Sequence, residues 1–252
     1  MDSLERWISN TKPTIVYLTV GYPSFEESVE IARFIVKNKF AQMIEAGIPF
    51  SDPIADGEVI QFSTQKALEN GININHIVKF ISILKSEFNI PVFAMGYYNP
   101  IYANLEANLQ KLSSVGTDGL IIPDINVEEV IRINPLLKKY NLKIVGFVAP
   151  NTSRDRIKKI VSNSSGFIYL VSSYGTTGIR ERLDLKLLEE VVKNIKSFKN
   201  IPVAIGFGIR DMKTAREVKN FCDGAIIGSA IIKIVEENPK NYIDKIEEFF
   251  GS

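Results

Sequence analysis

Short apolar blocks recur along the chain and alternate with longer stretches whose apolar positions repeat at helical spacing. The blocks are TIVYLTV (14–20), AQMIEAG (41–47), PVFAMG (91–96), DGLIIP (118–123), KIVGFVAP (143–150), GFIYLVS (166–172), PVAIGFG (202–208) and DGAIIG (223–228). Each is bounded by Gly, Pro, Asp or Asn, the pattern of strands buried on both faces. Between them, SFEESVEIARFIVKN opens on Ser24 with Glu27 three residues on, which predicts a capping box. VEEVIRINPLLKKY carries Pro135, which predicts a kink or a division. SRDRIKKIVSN starts on Ser153 as cap, and DLKLLEEVVKNIKSFKN sets Leu185, Leu188, Val191, Val192 and Ile195 on one stripe.

Eight such units in 252 residues describe an α/β fold, a (β/α)8 TIM barrel. A doubly wound sheet is the rival, but even spacing favours closure. No linker is visible, so residues 1–252 are expected to form a single barrel domain. Two βα loops exceed the minimum: residues 48–75 after the second strand, read as a long loop plus a short helix, and residues 172–184 after the sixth. Both belong to the face where barrel enzymes hold their chemistry.

Charge narrows the choices. Thirty Lys and Arg oppose 29 Asp and Glu, a net charge of +1, with no basic tract to suit nucleic acid or an anionic membrane. The opening MDSLERWISN is too polar for a signal peptide, and the longest apolar run, near GAIIGSAIIKIV, is far short of a membrane span. A soluble cytoplasmic protein is expected. Cys222 is the only cysteine and His76 the only histidine, so an internal disulfide and a metal site built on several His or Cys are excluded. Any proton transfer falls to carboxylates, tyrosine or lysine.

The acids concentrate in EAGIPFSDPIADGEVIQ, residues 45–61. Glu45 ends the second strand, where burial would raise its pKa, each pH unit corresponding to about 1.36 kcal/mol. Asp56 lies on the following loop, where more solvent would keep it ionised. Carboxylates pushed apart in this way can divide acid and base roles. The plain alternative makes Glu45 an ion-pair partner and Asp52 and Asp56 turn formers. Glycines follow the sixth, seventh and eighth strands in GTTG, GFGIRD and GSAIIK, and a short helix is expected from Ser229. Single glycines of this kind, such as Gly206, Gly208 or Gly228, mostly serve turns. Three glycine loops on one rim favour a phosphate site fed by backbone N–H groups and a helix dipole. Tyr97, Tyr98 and Tyr102 crowd the loop after the third strand, as a substrate pocket or as a packed rim.

The acid-loop run resembles the signature of the tryptophan synthase alpha subunit family. YLTVGYP (17–23), MGYYNPIYA (95–103), GLIIPD (119–124), FVAPNTSRDRI (147–157), GTTG (175–178), GFGIRD (206–211) and GAIIGSAIIK (224–233) match it in order, over nearly the whole chain. The resemblance implies a lyase that cleaves indole-3-glycerol phosphate into indole and glyceraldehyde 3-phosphate. It implies no cofactor in this chain, and a beta subunit that carries pyridoxal phosphate and receives the indole. It also implies Glu45 as the acid–base residue and Asp56 as acceptor of the indole N–H. Tyr17 and Tyr169 would stand beside the indole and the glutamate, and Thr177 would meet Asp56 on loop closure. Gly178, Phe207, Gly208, Gly228 and Ser229 would bind phosphate.

Three positions depart from the family pattern: Ser173 stands where an Arg is usual, Glu58 replaces a common proline, and INVEE (125–129) replaces a proline-bearing loop. Two other readings stay open, another phosphosugar barrel enzyme and a scaffolding alpha-like subunit with weak activity. A Schiff-base aldolase is disfavoured because the only strand lysine, Lys143, sits at a strand start.

Overall fold

Alternate residues of each strand enter two different apolar layers, which is why the sequence blocks are apolar throughout rather than alternating. On the first strand Ile15 and Tyr17 join the inner layer, with Met43, Phe93, Ile121, Phe167 and Ala204, while Val16 and Leu18 join the outer layer against the helices. The computed structural model of the protein describes residues 1–172, 184–206 and 208–252. Its elements run α1 (Ser3–Thr11), β1 (Thr14–Thr19), α2 (Phe25–Lys37), β2 (Met43–Gly47), α3 (Glu58–Glu69), α4 (Ile74–Glu87), β3 (Val92–Met95), α5 (Tyr98–Tyr102), α6 (Leu105–Ser114), β4 (Gly119–Ile121) and α7 (Val127–Lys139). They continue with β5 (Lys143–Ile144), β6 (Gly146–Val148), α8 (Arg154–Asn163), β7 (Ile168–Val171), α9 (Leu185–Phe198), β8 (Val203–Gly206), α10 (Met212–Val218), β9 (Gly224–Ile227), α11 (Ser229–Glu237) and α12 (Tyr242–Gly251).

All strand pairs are parallel, in the order β5-β4-β3-β2-β1-β9-β8-β7-β6. The two end strands are halves of the single fifth strand expected over 143–150, which brings the sheet round into the (β/α)8 barrel. Just before the split, Ile144 gives its N–H to the Ser165 hydroxyl (3.0 Å) and accepts from the Ser165 N–H (2.9 Å), on the side that faces β7.

Other local expectations meet mixed outcomes. Ser24 caps α2 by accepting from the Glu27 N–H, but the Glu27 carboxylate takes the Ser24 hydroxyl rather than its N–H, so the capping box is half formed. Pro135 lies inside an undivided α7. The carbonyl it leaves unbonded belongs to Ile131, 45% exposed, which sits on the water side where solvent can replace the missing donor. Ser153 caps α8, and α9 buries Leu188, Val191, Val192 and Ile195 as its stripe requires. The segment after the acid loop is a full helix of 12 residues, α3, rather than a short one. Glu58 is its first residue, a position that favours both proline and an acid, so the exchange keeps the helix start.

One bracket occurs twice. Asp118 binds Lys85 Nζ (2.9 Å) and the Val92 N–H (2.8 Å), and its own N–H donates to the Val92 carbonyl (3.0 Å). Asp223 does the same with Lys196 Nζ (2.9 Å), the Val203 N–H (2.8 Å) and the Val203 carbonyl (2.7 Å). Each bracket ties a helix to the N-terminal ends of two neighbouring strands. At this same end α1 covers the barrel with Leu4, Trp7 and Ile8, and Lys143 pairs with Asp2.

Candidate active site

The C-terminal ends of the strands carry the chemistry. Tyr17 on β1 is the register partner of Glu45 on β2, which pairs onward with Phe93 on β3. These residues continue the inward series begun by Ile15 and Met43, so periodicity alone aims Glu45 into the barrel. Across the barrel Tyr169 pairs with Phe147 and Ala204, and the Phe147 and Tyr169 rings stack at 4.8 Å. Strand-end glycines make room for both phenols. A Cβ at Gly47 would lie 2.4 Å from the Tyr17 hydroxyl, and one at Gly206 would lie 2.2 Å from that of Tyr169.

Glu45 is fully buried, and neither carboxylate oxygen has a hydrogen-bond partner among the described residues. Burial pushes its pKa up to about 8, so it holds its proton at neutral pH. The ion-pair alternative for Glu45 does not hold.

Asp56 is less solvated than its loop position predicts. Tyr97, arriving from the end of β3, donates its hydroxyl to Oδ2 (2.9 Å) and accepts the Ala55 N–H (2.9 Å). The Phe50 ring packs on Tyr97 at 5.5 Å. These rings exclude water, and burial raises Asp56 to about 6 against the lowering effect of the Tyr97 hydrogen bond. It is therefore mostly ionised at neutrality, though in a drier setting than expected. Asp52 stays exposed and, among the described residues, binds only its neighbour Ser51.

Tyr17, Ile48, Phe50, Met95 and Tyr97 wall a cleft that contains Asp56. Tyr17 is held neutral, by burial first and then by the charges of Asp56 and Glu45. The Tyr169 phenol is likewise raised by burial and by the same two acids. The four residues thus share one electrostatic environment. Of the crowded tyrosines only Tyr97 enters the cleft. Tyr98 donates to Glu129 (3.0 Å), and Tyr102 packs against Tyr98 and beneath Arg132, so both form the rim. The sequence places Tyr97 among the loop tyrosines but does not separate it from Tyr98 and Tyr102, which differ from it only in where the loop turns, and it gives no sign of Phe147.

Beside Tyr17, α11 begins. Gly228 is its N-cap with no side-chain cap, and its position lies against Tyr17 Cβ. The first N–H groups of this helix have no intrahelical acceptor, and exposed Ser229 adds a hydroxyl. Gly208, at φ +77, takes a left-handed turn on the neighbouring loop. Such a helix start favours an anion by about 0.3–1 kcal/mol from its dipole alone. Ser173, Thr177, Gly178 and Phe207 lie outside the described residues. Among the described residues no cluster of three or more His, Cys, Asp or Glu is placed to hold a metal ion, and no helix is long and apolar enough to cross a membrane.

A parallel barrel with buried acids and a glycine-started helix at its C-terminal rim defines the TIM-barrel class with a small-molecule site at the strand ends. The comparisons with known proteins narrow this. The family model for the tryptophan synthase alpha chain matches residues 6–251. A tryptophan synthase alpha chain of Clostridium kluyveri is 39% identical over 243 residues, covering 95% of this chain and 91% of that one. Tryptophan synthase subunit alpha from Campylobacter jejuni superposes with a TM-score of 0.84 at 31% identity, covering 97% and 98% of the two chains. A chain from a structure of the tryptophan synthase a2b2 complex of Pyrococcus furiosus gives 0.86 at 33% identity, covering 95% and 96%. The chain belongs to the tryptophan synthase alpha chain family, a lyase family of tryptophan biosynthesis.

Proposed function

We propose that the protein cleaves indole-3-glycerol phosphate by a reverse aldol reaction, with Glu45 as acid and base and Asp56 as the charge partner of the indole nitrogen. The observation that carries this is the unpartnered, fully buried Glu45 carboxyl, protonated at neutral pH, in the same site as an ionised Asp56 held by Tyr97. Glu45 gives its proton to indole C3, which places positive charge on the ring nitrogen, where Asp56 stabilises it. The resulting carboxylate accepts the proton of the glycerol hydroxyl as the carbon–carbon bond breaks. Indole keeps the first proton, the aldehyde oxygen loses the second, and Glu45 returns to its starting state. Fixed charges aimed at a developing cation lower such a barrier without reorganisation.

Tyr17 and Tyr169 flank the ring system. The start of α11 with Gly228 and Ser229, the turn at Gly208, and residues Gly178 and Phe207 hold the phosphate, while Thr177 meets Asp56 when its loop closes. The chain acts as one barrel domain in the cytoplasm and needs no cofactor of its own. It hands indole to a beta subunit that carries pyridoxal phosphate, as the a2b2 assembly of the P. furiosus relative supports. Ile54, 75% exposed on the acid loop, supports a partner seated on this face.

A Schiff-base route lacks its amine. Among the described residues Lys143 is the only lysine in the strands, and it pairs with Asp2 at the opposite end of the barrel. The test is incubation with indole-3-glycerol phosphate, with and without a beta subunit, following indole. Release by the chain, accelerated by the partner, is expected. No indole in either case would overturn the proposal.

A further inference from the structure

Six lysines among the described residues are half-buried. Four of them hold a carboxylate: Lys85 with Asp118, Lys143 with Asp2, Lys196 with Asp223 and Lys245 with Glu248. Lys199 donates to the Ser164 carbonyl (3.1 Å). The sixth is Lys219, which ends α10 at the N-terminal end of the barrel. Its Nζ reaches Oγ1 of Thr14, the first residue of β1 (2.7 Å). Among the described residues it makes no ion pair.

The identity of that partner matters. A carboxylate or a carbonyl only accepts, so it favours the ammonium form of a lysine. A hydroxyl accepts from an ammonium and donates to a neutral amine, so it serves both forms. Thr14 is 4% exposed, and its backbone is fixed by Gln42, whose side chain accepts its N–H (3.0 Å) and whose N–H binds its carbonyl (3.0 Å). The adjoining segments bring no free negative charge. Lys12, at the end of α1, donates its own ammonium to the Lys219 carbonyl (2.8 Å), and Lys39, in the turn before β2, is exposed. On α10, Arg216 binds the Ser252 carbonyl, and Glu217 makes no ion pair with Lys219. Cys222 donates to the Gly224 carbonyl (3.1 Å), and burial pushes it up to about 11, so it stays a thiol. Asp223 is held by Lys196 and the Val203 N–H. Burial without a counter-ion lowers the Lys219 amine to about 8.

We propose that Lys219 is a covalent modification site, a half-buried amine on a hydroxyl partner that takes a small acyl group from an acyl phosphate. Lys12 and Lys39 bring positive charge to the same corner, which suits an anionic acyl donor. The amine lone pair attacks the acyl carbon and forms a carbon–nitrogen bond. The bond from that carbon to the phosphate oxygen breaks, and phosphate leaves with its electron pair. The nitrogen gives one proton to solvent, and the product is a neutral amide. No residue of the cleft takes part, so the inference does not depend on the lyase reading.

The experiment incubates the full chain with acetyl phosphate at pH 7.5 and follows the occupancy of each lysine by peptide mass spectrometry. Lys219 is expected to react about 3- to 10-fold faster than the exposed Lys37, Lys138 and Lys158, because far more of its amine is unprotonated, with partial burial taking back some of that gain. Lys85 and Lys196, held by carboxylates, are expected to react more slowly than the exposed three. The Lys219 rate should climb with pH and level off above about 8, while the exposed lysines climb further. In the urea-unfolded chain the lead of Lys219 should vanish. Thr14→Asp sets a carboxylate against the amine and is expected to bring Lys219 down to the rate of Lys196; thermal unfolding is recorded beside it. Lys219 reacting no faster than the exposed lysines would overturn the inference. So would a lead that survives unfolding, a rate that does not level off, or a full rate in folded Thr14→Asp. If Thr14→Asp does not fold, the wild-type ranking and its pH course decide.

Discussion

At the scale of single residues, the site depends on how far burial moves two acids. Glu45 is legible in the sequence, because a carboxylate inside an apolar strand block at an inward position must be buried. Asp56 is only half legible. The ring that dries it belongs to Tyr97, 41 residues away, and no local pattern announces that contact. The raised pKa of Glu45 means that the folded chain holds a proton that the unfolded chain releases above about 4.5. Stability should therefore fall as pH rises from about 4.5 to about 8, by at most about 1.36 kcal/mol per pH unit, and level off above. Glu45→Gln removes this term. The variant is expected to lose indole formation by at least about 100-fold and to unfold at higher denaturant than wild type at pH 8.5, by on the order of a few kcal/mol. Urea titrations of both proteins at pH 6 and pH 8.5 check the sign. Tyr97→Phe removes the donor that lowers Asp56 and leaves the Ala55 N–H unpaired. Its kcat/KM is expected to drop about 10-fold, with the acid limb of its pH profile moved upward.

At the scale of elements, the strands were legible because parallel strands covered on both faces read as unbroken apolar blocks. The breaks were not. Where 143–150 divides, Ser165 spends its hydroxyl on the Ile144 N–H, a contact that β-propensity does not encode. The paired Asp brackets have no sequence signal of their own, since DG before a strand reads as an ordinary turn. Asp223 is 5% exposed and serves both Lys196 and the Val203 N–H, so Asp223→Ala strands a cation and a backbone donor together. It is expected to cost about 2–4 kcal/mol, and Asp118→Ala less, because the Asp118 carboxylate is more open to water than that of Asp223; chemical denaturation ranks the two. The start of α11 makes a different prediction. Gly228→Asp puts a negative charge where the substrate phosphate is proposed to sit and crowds Tyr17. Its KM for indole-3-glycerol phosphate is expected to rise at least about 10-fold, and inhibition by glycerol phosphate to weaken in parallel.

At the scale of the whole molecule, the barrel separates two jobs. One end carries the brackets, the α1 cover and the Lys143–Asp2 pair, all of which hold the fold. The other carries the acids, the cleft and the start of α11. That division is why the motifs at strand ends pointed to function while the blocks themselves pointed only to architecture. The most direct measurement of the central claim is the pH profile of kcat/KM for indole release, wild type beside Glu45→Gln. The substrate phosphate itself titrates near pH 6, which makes the basic limb the cleaner report on the protein. Expected for wild type is a bell with an acid limb at about 6, where Asp56 ionises, and a basic limb at about 8, where Glu45 loses its proton, with activity near background throughout for the variant. A flat basic side in wild type, or a Glu45→Gln enzyme with the full wild-type profile, would contradict the assignment of Glu45 as the acid.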